Sequence, residues 1–341
     1  MGKNERLFKI VRFFALSTIV FASPIILSGC GGGSGGEGSG SLTLVAYSTP
    51  REAYEELIPA FEETEDGQGV TFETSYGGSG EQSRAVEGGL PADVVALSLE
   101  PDVTRLVEAG LVEENWSDNE YNGMVTDSVV VIATREGNPK DLTGWDDLTQ
   151  SGVEVITPNP FTSGGARWNV LAAYGAASDV GAKHEDGVAY LNDLFKNVPV
   201  QDDSARKSLQ TFAGGKGDAI LAYENEAIFA NQNGQKLEYT VPDETILIEN
   251  PVAVTKSSEN PEEAQAFLEF LRSDEAQRIF LENGYRPVDE DVAAEGDFPT
   301  PSGLFTVADL GGWADVTDRF FNTDGSIMLD VERGIGVAVE N

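Results

Sequence analysis

Four short stretches join small or hydroxyl-bearing residues to what reads as the start of a helix. They are Ser48-Thr49-Pro50, Gly77-Gly78-Ser79-Gly80, Thr162-Ser163-Gly164-Gly165 and Asp203-Ser204-Ala205. The first turn of a helix carries N–H groups with no intrahelical acceptor, and the aligned peptide dipoles place about half a positive charge there. Where no bulky side chain intervenes, the backbone approaches an anion closely. One such turn is ordinary. Four in one chain, facing a cleft, point to an anion site. Arg167 and Arg206 follow two of the junctions, and two roles stand for them: direct pairing with the anion, or support of its peptide donors from behind.

Other chemistries fare worse. The chain has one histidine, His184, and one cysteine, Cys30. That excludes a multi-His metal site, a Cys-rich zinc or iron–sulfur site and an internal disulfide framework. His184 lies in a stretch of Lys, Glu and Asp and reads as an exposed helix residue. A hydrolase needs an activated nucleophile and a base, but no GxSxG elbow joins a strand to a helix, and Ser79 and Ser163 have no evident base. An adhesion lectin would show an aromatic-lined surface, whereas Tyr and Trp here fall mostly within apolar helical faces. No metal or organic cofactor is implied.

The junctions need elements to position them. Apolar strands are expected at 42–47, 70–75, 93–98, 127–134, 153–157 and 218–222, and at 246–254, interrupted by Pro251. Tyr54, Leu57, Ile58 and Phe61 recur at helical spacing after Pro50. Further helices are expected at 100–109, 164–177, 184–196 and 204–213, with another from Asn260-Pro261-Glu262-Glu263 and one from Asp274 to Gly284. Strands alternating with helices predict an α/β fold built on a mainly parallel, doubly wound sheet. The expected organisation is two doubly wound lobes: 42–126 plus 253–341, and 127–252 inserted between. The chain crosses twice, near 127–134 and 249–254, which makes a two-strand hinge. Ligands of open α/β sheets sit outside the strand carboxyl ends, so the site is expected in the cleft between lobes.

Residues 1–29 read as an export signal. Lys3, Arg6, Lys9 and Arg12 precede an apolar run from Phe13 to Leu27, which is short for a spanning helix of roughly 20 residues. The run ends in Leu27-Ser28-Gly29-Cys30, which resembles a bacterial lipobox with Cys30 as the lipidated new N-terminus. Cys30 and the Gly/Ser-rich residues 31–41 then form a lipidated, flexible tether. The expected location is extracytoplasmic, anchored to the outer face of the cell membrane or periplasmic, with membrane contact through the lipid only.

Acids outnumber bases 58 to 22, a formal charge of −36. Without the signal's four bases and one acid the balance is 18 against 57, or −39. Such a polyanion is a poor partner for nucleic acid or an anionic membrane surface. With 40% hydrophobic residues, the acidity is not the low-hydrophobicity signature of disorder. Two explanations stand: solvated helix faces, and adaptation to high salt, where screening shortens to about 3 Å at 1 M.

The wording of the junctions is more specific than their physics. TPNPFTSGGARWN at 157–169, YGGSGEQ at 76–82, DAILAYENEA at 218–227, GYRP at 284–287, PADVVALSLE at 91–100 and GNPKDLTGWDDL at 137–148 together resemble the periplasmic sulfate-binding proteins of ABC importers. The thiosulfate binders are close relatives, and the resemblance runs from about residue 42 to about 321. It implies a type II periplasmic binding protein, a monomer of two lobes that closes on a dehydrated sulfate without a salt bridge. By position, the donors implied are the N–H of Ser48, the hydroxyl of Ser79, and the N–H groups of Ser163, Gly164, Gly165 and Ala205. The family's tryptophan donor is replaced by Tyr223, whose phenol reaches differently from an indole. Ser48 stands where the family usually has Asp, but that contact is a backbone one. The resemblance puts Arg167 and Arg206 behind the site. It also implies a permease with a cytoplasmic ATPase as partner. Thiosulfate, molybdate or tungstate are alternatives for the same cleft.

Overall fold

The computed structural model describes residues 40–337. The expected signal, Cys30 and most of the tether lie outside the described residues. Ser41, assigned above to the tether, already opens the first strand.

The chain begins as repeated strand–helix units. β1 (Ser41–Tyr47) leads into α1 (Arg51–Glu62), β2 (Thr71–Gly77) into α2 (Ser79–Glu87), and β3 (Val94–Ala96) into α3 (Glu100–Glu108). α1 buries Ala53, Tyr54, Leu57 and Phe61, one face at helical spacing. The long β4 (Met124–Arg135) follows, then β5 (Val155–Ile156), α4 (Gly164–Ala177), α5 (His184–Lys196) and α6 (Ala205–Ala213). Next come β6 (Ala219–Tyr223), α7 (Glu224–Gln232), β7 (Leu237–Thr240) and the long β8 (Glu244–Val254). The chain ends with α8 (Pro261–Phe270), α9 (Asp274–Glu282), β9 (Arg286–Pro287), α10 (Glu290–Ala293), β10 (Gly303–Phe305), α11 (Trp313–Val316) and α12 (Ile327–Gly334).

The strands order as β2-β1-β3-β8-β4-β6-β5. β1 runs parallel to β2 and β3, and β5 parallel to β6. β4 and β8 pair antiparallel over Met124–Val129 and Leu247–Pro251. Each then continues into a different half: β4 pairs with β6 through Val130–Thr134, and β8 with β3 through Val252–Val254. Two long strands therefore run through both α/β lobes, and their antiparallel course makes the sheet mixed. Pro251 does not interrupt β8. It stands opposite Met124, where the ladder register shifts, and such an irregularity tolerates a residue with no N–H.

One group of buried side chains gathers Leu42, Leu44, Tyr54, Phe61, Phe267 and Phe280. Another gathers Val130, Trp168, Tyr174, Leu191 and Phe195. The end of the chain corrects the expected lobe boundaries. All of 253–341 was expected in the first lobe, yet β10 pairs with Glu244–Ile246 of β8, and Phe305, Phe320 and Met328 join the core around Trp168 and Tyr174. The reason is the aromatic demand of α4: Tyr174 meets Phe320 edge-on at 4.7 Å, and Trp168 meets Trp313 at 4.9 Å.

Candidate functional site

A small cavity lies where the carboxyl ends of the first strands face the starts of α4 and α6. Ser48, Thr49, Gly78, Ser79 and Ser98 line it from one side, and Ser163, Gly164, Gly165, Ser204 and Ala205 from the other. Ser48, Ser79, Ser163, Gly164, Gly165 and Ala205 are thus brought together. Tyr223 is not among the lining residues. Among the described residues, none that lines the cavity carries a formal charge.

Glycines allow the two sides to meet. A Cβ at Gly78 would stand 2.8 Å from the Asp203 carbonyl oxygen and 2.9 Å from that of Thr162. These are backbone atoms of the opposite side, and real Cβ atoms do not come so near them. At the start of α4, a Cβ on Gly164 would meet Ser98 Oγ at 2.3 Å. The first-turn N–H groups of Gly164, Gly165 and Ala205 have no intrahelical acceptor. Ser204 caps α6 by accepting from the Lys207 N–H at 3.4 Å.

Two of the expected donors are otherwise engaged. The Ser163 N–H donates to the Asn159 carbonyl at 2.9 Å, so α4 presents its next two amides instead. The Ser79 hydroxyl donates to Asp102 Oδ2 at 2.6 Å and accepts from the Ser98 N–H at 2.9 Å. Its single hydrogen is directed away from the cavity, which leaves the Ser79 N–H, at the first position of α2, as the donor.

Tyr223 ends β6 and precedes α7, with 1% of its surface exposed. Its phenol oxygen lies 2.9 Å from Ser98 Oγ. Burial raises its pKa far above the ordinary tyrosine value, so the phenol keeps its proton.

Arg206 and Arg167 touch the site from behind. Arg206 donates to both oxygens of Glu52, at 2.6 and 2.8 Å, to Glu226 Oε1 at 2.9 Å, and to the Thr49 carbonyl at 3.0 Å. Its guanidinium also stacks over Phe229 at 4.2 Å. Burial opposes the Arg206 charge, but Glu226 and Glu52 overcome it and raise its pKa. Arg167 donates to the Pro160 carbonyl at 3.0 Å and lies over Phe321. Burial lowers its pKa, and Asp102 opposes that shift. His184 is exposed at the start of α5, with Nδ1 2.9 Å from the Tyr174 hydroxyl.

Ser98 is a lining residue that the set of expected donors leaves out, although it lies within the PADVVALSLE stretch. The signal was present: it follows β3 and stands two residues before α3, the same strand-to-helix position as the other junctions. A second, open recess near Val107 carries Glu113 and Glu114, and its Lys256 already pairs with Glu113 at 3.1 Å. Its charge is wrong for an anion.

Two α/β lobes threaded by a pair of long strands, meeting over a small uncharged cavity of helix starts, define a binding protein that closes around a solute. The chain belongs to the family of bacterial extracellular solute-binding proteins, whose model matches residues 42–286. It is 43% identical to a sulfate-binding protein of Synechococcus elongatus over 92% of this chain and 94% of that one. The solved structure of the sulfate-binding protein SubI from Mycobacterium tuberculosis matches with a TM-score of 0.81 and 44% identity, over 83% of this chain and 100% of that one. A thiosulfate-binding protein of Pseudomonas aeruginosa is 33% identical over 91% of this chain and 97% of that one.

Proposed function

We propose that this protein captures sulfate in the cavity between its lobes and delivers it to an ABC permease for uptake. The observation that carries the reading is the lining: helix-start amides and hydroxyls, with no charged side chain among the described residues. Sulfate at neutral pH carries no proton, so every oxygen accepts. Hydrogen bonds to a charged group contribute about 1.5–3 kcal/mol each, and half a dozen of them offset the desolvation of a dianion. Hydrogen phosphate must also donate. In a cavity of donors its proton faces other hydrogens, an unpaired buried contact that costs about 1–3 kcal/mol. Asp102 does not relieve this, because Ser79 covers it.

The relatives named for sulfate, at 43 and 44% identity, support this choice of anion. The thiosulfate-binding relative supports thiosulfate as a second ligand of the same cleft. The role is that of a carrier rather than an enzyme. The Leu27-Ser28-Gly29-Cys30 pattern supports a lipid anchor on Cys30, with the folded body held outside the cell membrane.

Isothermal titration calorimetry with sulfate, thiosulfate and hydrogen phosphate tests the function. Sulfate should bind, with hydrogen phosphate at least about tenfold weaker. Absence of heat with sulfate, or preference for hydrogen phosphate, would overturn the reading.

A further inference from the structure

We propose that Ser98 supplies a hydroxyl donor of the anion site, and that Tyr223 acts through Ser98 as a positioning residue instead of touching the anion. The inference rests on the cleft being an anion site and names a contact within it.

Ser98 is buried, lines the cavity, and has Oγ against the start of α4. Its backbone is pinned on both sides. The N–H donates to Ser79 Oγ at 2.9 Å, and the carbonyl accepts from Trp168 Nε1 at 2.8 Å and Asn250 Nδ2 at 3.3 Å. Rotation about the Cα–Cβ bond is what remains to the side chain, and Oγ rests 2.9 Å from the Tyr223 phenol.

A proton count then sets the direction of that bond. Each hydroxyl has one hydrogen to give. If Ser98 donated to Tyr223, the phenol hydrogen would need an acceptor in the core. Among the described residues, the hydrogen-bond partner of the phenol is Ser98 Oγ itself. If Tyr223 donates to Ser98, the phenol is satisfied and the serine hydrogen turns to the cavity. Burial keeps the phenol protonated, so it remains a donor. Ser79 cannot take this role while its hydrogen is held by Asp102.

The arrangement also fixes polarity. A bond donated by the Tyr223 phenol orients the Ser98 hydroxyl with its hydrogen toward the anion. That suits sulfate and disfavours hydrogen phosphate. Without the phenol, Ser98 is free to turn and accept the phosphate proton.

The test is calorimetry with sulfate and hydrogen phosphate on the full folded chain, as wild type, Ser98→Ala, Tyr223→Phe and the double variant. Ser98→Ala should weaken sulfate about 10- to 100-fold, the effect of removing one bond to a charged group. Tyr223→Phe should weaken sulfate less but shrink the sulfate-to-phosphate preference about tenfold. The double variant should bind sulfate no worse than Ser98→Ala, because the two act in series. Losses that multiply in the double variant would make Tyr223 an independent donor and overturn the proposal. Unchanged sulfate affinity in Ser98→Ala would do the same while leaving sulfate binding itself intact. If wild type bound no sulfate, the functional reading would fall and this proposal with it. Should Ser98→Ala fail to fold, Tyr223→Phe decides alone: an unaltered preference for sulfate overturns the inference.

Discussion

Arg206 donates to two carboxylates and one carbonyl, and it does not line the cavity. It joins Glu52 and Thr49 of one lobe to Glu226 of the other, so it fastens the lobes and orients the peptide beside Ser48. Glu226 has a side-chain exposure of 2%, and its Oε2 has no hydrogen-bond partner among the described residues. Removing Arg206 therefore strands a buried carboxylate. Arg206→Met should lower unfolding free energy by about 3–5 kcal/mol, and Glu52→Gln by about 1 kcal/mol, in urea titrations. Equal effects from the two would contradict this. The residue scale also shows where sequence stops. The TSGGARWN pattern places Gly164 and Gly165 at the site because glycines at a helix start have few other uses. It does not reveal that Asn159 takes the Ser163 N–H, or that Asp102, 23 residues away, takes the Ser79 hydroxyl. Both depend on acceptors that only the folded chain brings near.

Among the elements, the helix starts were the most legible part. α4, α5 and α6 begin within one residue of their expected positions, because N-cap and glycine signals act locally. The close approach of α2 to the opposite lobe was not legible, since it joins residues far apart in the chain. Gly78→Ala should prop the lobes apart, given backbone oxygens at 2.8 and 2.9 Å from the new Cβ. We expect sulfate affinity to fall at least tenfold with thermal stability little changed, and small-angle scattering with sulfate to keep the larger radius of the open form. Wild-type affinity would contradict the closure geometry.

The long strands also carry a pH signature. Asp127 faces Glu249 across the ladder. Burial first, and then Glu249, raise the Asp127 pKa to about 8, while Arg286 opposes them. A carboxyl whose folded pKa is raised holds its proton after the unfolded chain has released it. Stability from this group is full below the unfolded value near 4 and is lost as pH rises through about 8. Asp127→Asn should flatten the fall in melting temperature between pH 5 and 9 (approximate bounds taken from that window). A wild-type slope in the variant would contradict this.

At the scale of the whole molecule, the net charge of −36, or −39 without the signal, opposes an incoming dianion. Inside the cavity the donors act at about 2.9 Å, well within the roughly 8 Å screening length at physiological salt. Local dipoles therefore govern affinity, and the long-range field governs encounter. Association rates by stopped flow should rise as salt increases from about 10 to 150 mM. Rates that fall would reveal an attractive patch at the cleft mouth. The division into two lobes was readable from the alternating strands and helices. The return of 303–335 to the second lobe was not, because only the assembled core shows which aromatic faces α4 leaves to be covered.

The central claim is that uncharged donors hold the anion between the lobes. A crystal structure of the protein with sulfate tests it most directly. The account predicts sulfate oxygens about 2.9 Å from the N–H groups of Gly164, Gly165 and Ala205 and close to Ser98 Oγ, with every lysine and arginine nitrogen out of contact. Sulfate clasped directly by Arg206 or Arg167, or seated outside this cavity, would contradict it.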